Sequence, residues 1–120
     1  IPYELHVDRE AYYHSLLYAV MQLLGFNIEA EVSVSGGRVD GILELPNAVY
    51  VMEVKYRRHE GEGVLEDALK ECFAQIEARG YCARYAGSGK TVYKTAVAVA
   101  GRGEVRVKHE KETSISPAFI

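Results

Sequence analysis

The ten residues 48–57 constrain the fold more than any other stretch of this chain. Alternate side chains of a strand point to opposite faces, so Val49, Val51, Glu53, Lys55 and Arg57 share one face. Tyr50, Met52, Val54 and Tyr56 share the other. The first face begins apolar and turns charged midway. A solvated face mixes polar residues throughout, whereas this pattern describes a core that opens into a cleft at one end of the strand.

Pro46-Asn47 just before this strand is a turn, and residues 38–45 before the turn read as a second strand. Centring an antiparallel hairpin on the turn sets Leu45 against Ala48, Ile42 against Val51 and Asp40 against Glu53. Directly opposed side chains lie on one face with Cβ atoms roughly 4.5–5.5 Å apart. Two carboxylates held so close repel unless something positive lies between them, and a divalent metal with a preference for oxygen ligands fits that need. A bulge near the turn would offset the pair. Lys55, two residues beyond Glu53, reaches the same cavity, where an ammonium group orients water and stabilises charge developing on a phosphate. The plain alternative is a cross-strand salt bridge from Lys55 to Asp40 or Glu53, which contributes little at a surface.

The rest of the chain supplies the frame. Asp8 is an N-cap for a helix over 9–24 that Gly25 stops, with Tyr13, Leu16, Leu17, Val20, Met21 and Leu24 at helical spacing. Residues 28–35 alternate as a strand ended by Gly36-Gly37. After a polar loop over 58–63, a second helix covers 64–79, with Leu65, Leu69, Cys72 and Ile76 on one stripe and Gly80 as its stop. Residues 81–85 add a further helical turn. Residues 91–100 are nearly continuously apolar after Lys94, as in a strand covered on both faces, and 104–108 alternate charge with Val105 and Val107, as an edge strand does. The order is helix, three strands, helix, two strands: an α/β chain whose central sheet contains an antiparallel hairpin.

A length of 120 residues with 48% hydrophobic content suits one domain spanning 1–120. Position 1 is Ile and no leader-like segment precedes the first helix, so the chain reads as a domain cut from a longer protein. No apolar run approaches the roughly 20 residues of a membrane span. Cys72 and Cys82 lack metal-ligand spacing, which points to a reduced, cytoplasmic setting without membrane attachment. The net charge of −3 argues against broad phosphate binding. A metal site, however, concentrates carboxylates that the ion neutralises, and Lys55-Tyr56-Arg57-Arg58 forms a local basic strip.

Three apparent motifs fail on context. Gly87-Ser88-Gly89-Lys90-Thr91 ends like a phosphate-binding loop, but Arg84 stands where its first Gly belongs and the segment leads from helix to strand. His59-Glu60 lacks the second His of a zinc-protease helix. His6, His14 and His109 are scattered. The nine tyrosines suit sheet packing, with Tyr56 and Tyr81 able to stack on a base.

Glu10 extends the apolar stripe of the first helix through Tyr13, His14 and Leu17; its plain role is an acid in the first turn, favoured by the helix dipole. With Glu10 in place, Gly37-Arg38-Val39-Asp40, twelve residues, then Glu53-Val54-Lys55 resembles the PD-(D/E)xK nuclease superfamily. The element order is similar too. Closer still, the chain is similar to the branch whose nuclease-like domain ends a chain that begins with an AAA-type ATPase-like domain. Gln75 and Tyr81 match the Gln and Tyr that branch shows after its second helix, and Val39 departs from the Pro of the superfamily's name. The resemblance spans residues 9–100.

It implies a restriction-endonuclease-like core, a central mixed sheet with antiparallel hairpin flanked by helices. It also implies Mg²⁺, with Mn²⁺ as a substitute, held by Asp40, Glu53 and the Val54 carbonyl. Lys55 and Glu10 then assist water attack on a DNA phosphodiester. Gln75, Tyr81, Arg38, Arg57 and Arg58 address the nucleic acid, and the implied partners are DNA, a second copy of the chain and the ATPase-like domain. Two rival readings stand beside this metal-dependent nuclease. One is a nuclease-fold module that only binds nucleic acid or a partner domain. The other is an unrelated α/β interaction domain whose hairpin charges are ordinary salt bridges.

Overall fold

The computed structural model describes residues 27–29, 33–34, 37–101 and 103–112, together with Met21 and Gly25. The helix expected over 9–24 lies outside the described residues except for Met21, which is helical. The described elements are β1 (Asn27–Glu29), β2 (Ser33–Val34), β3 (Gly37–Arg38), β4 (Gly41–Glu44), β5 (Ala48–Arg57), α1 (Glu62–Arg79), a 3-10 helix (Tyr81–Tyr85), β6 (Thr91–Ala100) and β7 (Glu104–Lys111).

Five strands form one sheet in the order β1-β4-β5-β6-β7, and β2 and β3 pair separately. β5 and β6 are parallel from Ala48 opposite Thr91 to Arg57 opposite Ala100, while the other pairs in the sheet are antiparallel. Parallel neighbours need a crossover, and α1 supplies it. The sheet is therefore mixed, with the predicted hairpin at its centre.

Periodicity places α1. Its buried residues Leu65, Ala68, Leu69, Cys72 and Ile76 form one stripe. That stripe covers the face of Val49 and Val51 on β5 and of Ala96, Ala98 and Ala100 on β6, where three small side chains leave room for the helix. Ile76 is completely buried in this layer. Ile76→Val removes one methylene without reshaping the site and is expected to cost about 1 kcal/mol, read as a lower denaturant midpoint with unchanged slope. Gly80 ends the helix in the left-handed conformation at φ 69°, the role its sequence position predicts. Met52, Leu43 and Ile28 pack on the opposite face of the sheet, with Met21 against them.

The strand expectations need three corrections. The described parts of residues 28–35 belong to two sheets: Ile28 and Glu29 pair with β4 in the central sheet, whereas Ser33–Val34 pairs with Gly37–Arg38. Alternation fixes which way side chains point, not which strand is the partner. Residues 38–45 likewise break at Val39-Asp40, because Val39 turns into the core, where it is 1% exposed. The edge strand runs to Lys111, three residues beyond the predicted end, held along its length by β6. Among the described residues no helix is long and apolar enough to cross a membrane.

Candidate active site

The predicted register holds through the hairpin: Ile42 faces Val51, and Gly41 faces Met52. There the pattern changes. The amide of Asp40, as well as its neighbour Gly41, is set against Met52, with Asp40 N–H donating to the Met52 carbonyl at 3.1 Å. Two residues against one is a β-bulge, and it re-aims the side chain that follows the ladder. The Asp40 carboxylate consequently reaches past Glu53 and accepts the Val54 amide hydrogen at 2.7 Å.

This contact orients the Val54 peptide. In an antiparallel ladder a residue's N–H and C=O point to the same neighbouring strand. Val54 N–H points to the Asp40 side, so its carbonyl faces that side too, just beyond the point where pairing with β4 ends at Gly41. Asp40 carboxylate and Val54 carbonyl thus share one edge of β5.

Glu53 extends from the adjoining position onto the face that α1 covers and is only 3% exposed. Its carboxyl is pushed up to about 7, first by burial and next by the charge of Asp40, while Arg79 and Lys55 pull it back. Charge repulsion between the two acids, inferred from the hairpin count, is therefore present despite the bulge. Glu53 also takes Arg79 as an ion-pair partner, with Nη1 at 3.3 and 3.4 Å from its two oxygens. The cross-strand salt bridge weighed for Lys55 does not form among the described residues; Lys55 acts on Glu53 through its field.

Arg79 was not legible as a site residue, although a signal existed. Glu71, Gln75 and Arg79 recur every four residues on one edge of α1, roughly 6 Å of rise per step, while Glu53, Lys55 and Arg57 recur every two on β5, roughly 6.6 Å per step. The two ladders run in opposite directions and match: Arg79 pairs with Glu53, and Glu71 pairs with Arg57. Gln75 falls between these pairs, at the level of Lys55. Its Oε1 is buried without a hydrogen-bond partner among the described residues.

The other expected site residues are placed as follows. Arg57 is tied to Glu71, and Arg58 stands exposed at the end of β5. The Arg38 backbone belongs to the short β2–β3 pair, and Glu10 lies outside the described residues. Tyr81 is a correction. Its ring is completely buried among Val39, Ile42, Val51 and Ile76, so it has no face to offer a base. Tyr56 donates its hydroxyl hydrogen to the Gly101 carbonyl at 3.2 Å. The free thiols of Cys72 and Cys82 are each pushed up to about 12, chiefly by burial, which keeps both protonated and unreactive.

No group of three or more His, Cys, Asp or Glu side chains gathers among the described residues. Asp40, Glu53 and the Val54 carbonyl, neighbours along β5, offer oxygen donors only. Such donors suit a hard divalent cation that keeps part of its hydration, and not a thiolate- or imidazole-seeking metal. The mutual repulsion of Asp40 and Glu53 is the observation that makes the fit, since a cation between them removes it.

No curated protein matches the chain significantly. A protein-family profile does: residues 8–110 match the PD-(D/E)XK nuclease superfamily. The chain belongs to that superfamily, and its mixed five-stranded sheet with a crossover helix agrees with a restriction-endonuclease-like core.

Proposed function

We propose, with that membership as premise, that the chain is a metal-dependent nuclease that hydrolyses DNA phosphodiester bonds. The observation that carries the reading is the buried Glu53 beside Asp40, with Lys55 on the same face of β5. Such a pair costs the fold stability, and a buried acid shifted by burial and by a neighbouring acid is the kind of group that active sites use. Asp40, Glu53 and the Val54 carbonyl would hold Mg²⁺, or Mn²⁺ in its place. Bound there, the ion supplies Lewis-acid polarisation of the phosphate and offsets its charge.

The chain's own groups do the remainder. Lys55 orients the attacking water and stabilises the negative charge that grows on the phosphate oxygens. Glu10 assists that water, and Gln75 hydrogen-bonds at the site or to the DNA backbone. Arg38, Arg57 and Arg58 contact flanking phosphates, Arg57 by exchanging Glu71 for one. A homodimer, an ATPase-like neighbour domain and a cytoplasmic setting belong to the same reading.

A silent nuclease-fold module is the second reading, favoured by one observation: Arg57, Lys90, Lys94 and Arg106 are already paired to acids. Incubation with supercoiled plasmid and with branched DNA separates the two. Cleavage is expected with Mg²⁺ or Mn²⁺ and is expected to stop on chelation. Cation binding without cleavage of either substrate would establish the silent module instead.

A further inference from the structure

Resting on the reading of Asp40 and Glu53 as the cation-holding pair, we propose that Arg79 is that pair's resident counter-ion, which yields Glu53 when a divalent cation binds. Glu53 is 3% exposed, so whenever its carboxyl is ionised the charge cannot be left to water and calls for a cation facing it. The Arg79 side chain is 30% exposed. Glu53 is the buried partner and Arg79 the one that reaches solvent, so an incoming ion displaces Arg79 and not Glu53.

The geometry is that of an exchangeable pair. A single nitrogen, Nη1, is shared between both Glu53 oxygens at 3.3 and 3.4 Å. Charge-assisted bonds usually close to about 2.7–2.9 Å, and a locked arginine presents two nitrogens to two oxygens. Arg106 does so in this same molecule, with Nη1 and Nη2 each 2.7 Å from a different oxygen of Glu62. Arg79 neutralises Glu53 without forming that fork.

Its place in the chain gives it somewhere to go. Arg79 is the last residue of α1, next to the left-handed Gly80. A cation in the final turn is favoured by the helix dipole and by the unpaired terminal carbonyls, whichever way the side chain turns. The guanidinium and a divalent ion need the same carboxylate and repel each other, so binding of one is coupled to release of the other. A plain tether between α1 and β5 predicts something different: its loss lowers stability and leaves the cation response unchanged.

Mn²⁺ binding is measured by calorimetry, and Tm with and without Mn²⁺, on wild type, Arg79→Met and Arg79→Lys. A pH of about 8.5 keeps carboxylate protonation from competing. Arg79→Met is expected to melt lower without metal, to gain more Tm from Mn²⁺, and to bind Mn²⁺ about fivefold or more tightly, since one like charge has left a partly screened site. Arg79→Lys is expected to return both values toward wild type. Equal or weaker Mn²⁺ binding by Arg79→Met overturns the counter-ion role and leaves the acid-pair reading standing. Absence of Mn²⁺ binding in every protein removes the acid-pair reading, and this proposal with it. Should Arg79→Met fail to fold, Arg79→Gln keeps a hydrogen-bond donor without the charge and carries the same comparison.

Discussion

Glu53→Gln is expected to raise the Tm of the metal-free protein at pH 8 by roughly 10 °C while abolishing its response to Mn²⁺. Gln fills the space of a protonated Glu and brings no charge. The folded protein holds the Glu53 proton up to about pH 7, against an ordinary 4.5, with burial as the main cause and Asp40 as the second. Between those two values the folded chain binds a proton that the unfolded chain has released. The stability contribution is therefore fully present below about 4.5, is lost as pH rises through 7, and stays lost above. That loss amounts to roughly 3 kcal/mol at 1.36 kcal/mol per tenfold change in proton affinity. Gln avoids it, so a plot of Tm against pH is expected to descend between pH 5 and 7 more steeply in wild type than in Glu53→Gln. Parallel curves for the two proteins would show that Glu53 carries no penalty, and would sink the idea of an acid pair kept at a cost to the fold.

The legibility of this protein follows the range of the physics. Period-two alternation and the Pro46-Asn47 turn depend on neighbours in sequence, so β5 and the hairpin register could be counted out to Gly41 opposite Met52. The count failed one residue later. The bulge at Asp40 arises because Val39 is drawn into a core shared with Ile76 and Tyr81, contacts far apart in the chain. Yet the same bulge delivers the Asp40 carboxylate to the Val54 amide, one residue from Glu53.

Tyr81 shows the opposite failure. A tyrosine after a helix stop looks available in sequence, and nothing local reveals that Val51 and Ile42 close over it. Arg79 went unread because its meaning lies in a second element. Only when α1 is laid antiparallel on β5 does a four-residue spacing align with a two-residue one, and Arg79 meet Glu53.

Lys55→Ala is expected to lower DNA cleavage by about 10²–10³-fold while leaving Mn²⁺ binding within about twofold of wild type. The asymmetry comes from position. Asp40, Glu53 and the Val54 carbonyl form the oxygen set, and the ammonium of Lys55 adds no ligand to it. Lys55 lies instead on the Glu53 face, near enough for its charge to favour the ionised carboxylate. Removing it takes a positive group from beside the place where phosphate charge develops, and interactions realised in the transition state appear in kcat before they appear in KM. A purely structural Lys55 predicts another result: lower Tm, with cleavage per folded molecule unchanged. Lys55→Arg separates charge from shape. It keeps the positive charge on a planar, bulkier head, which cannot occupy the position of a compact ammonium. Intermediate activity is therefore expected. Full activity in Lys55→Ala, measured on protein shown to be folded and Mn²⁺-bound, would remove Lys55 from the chemistry and favour a water held by Glu10 and Gln75 alone.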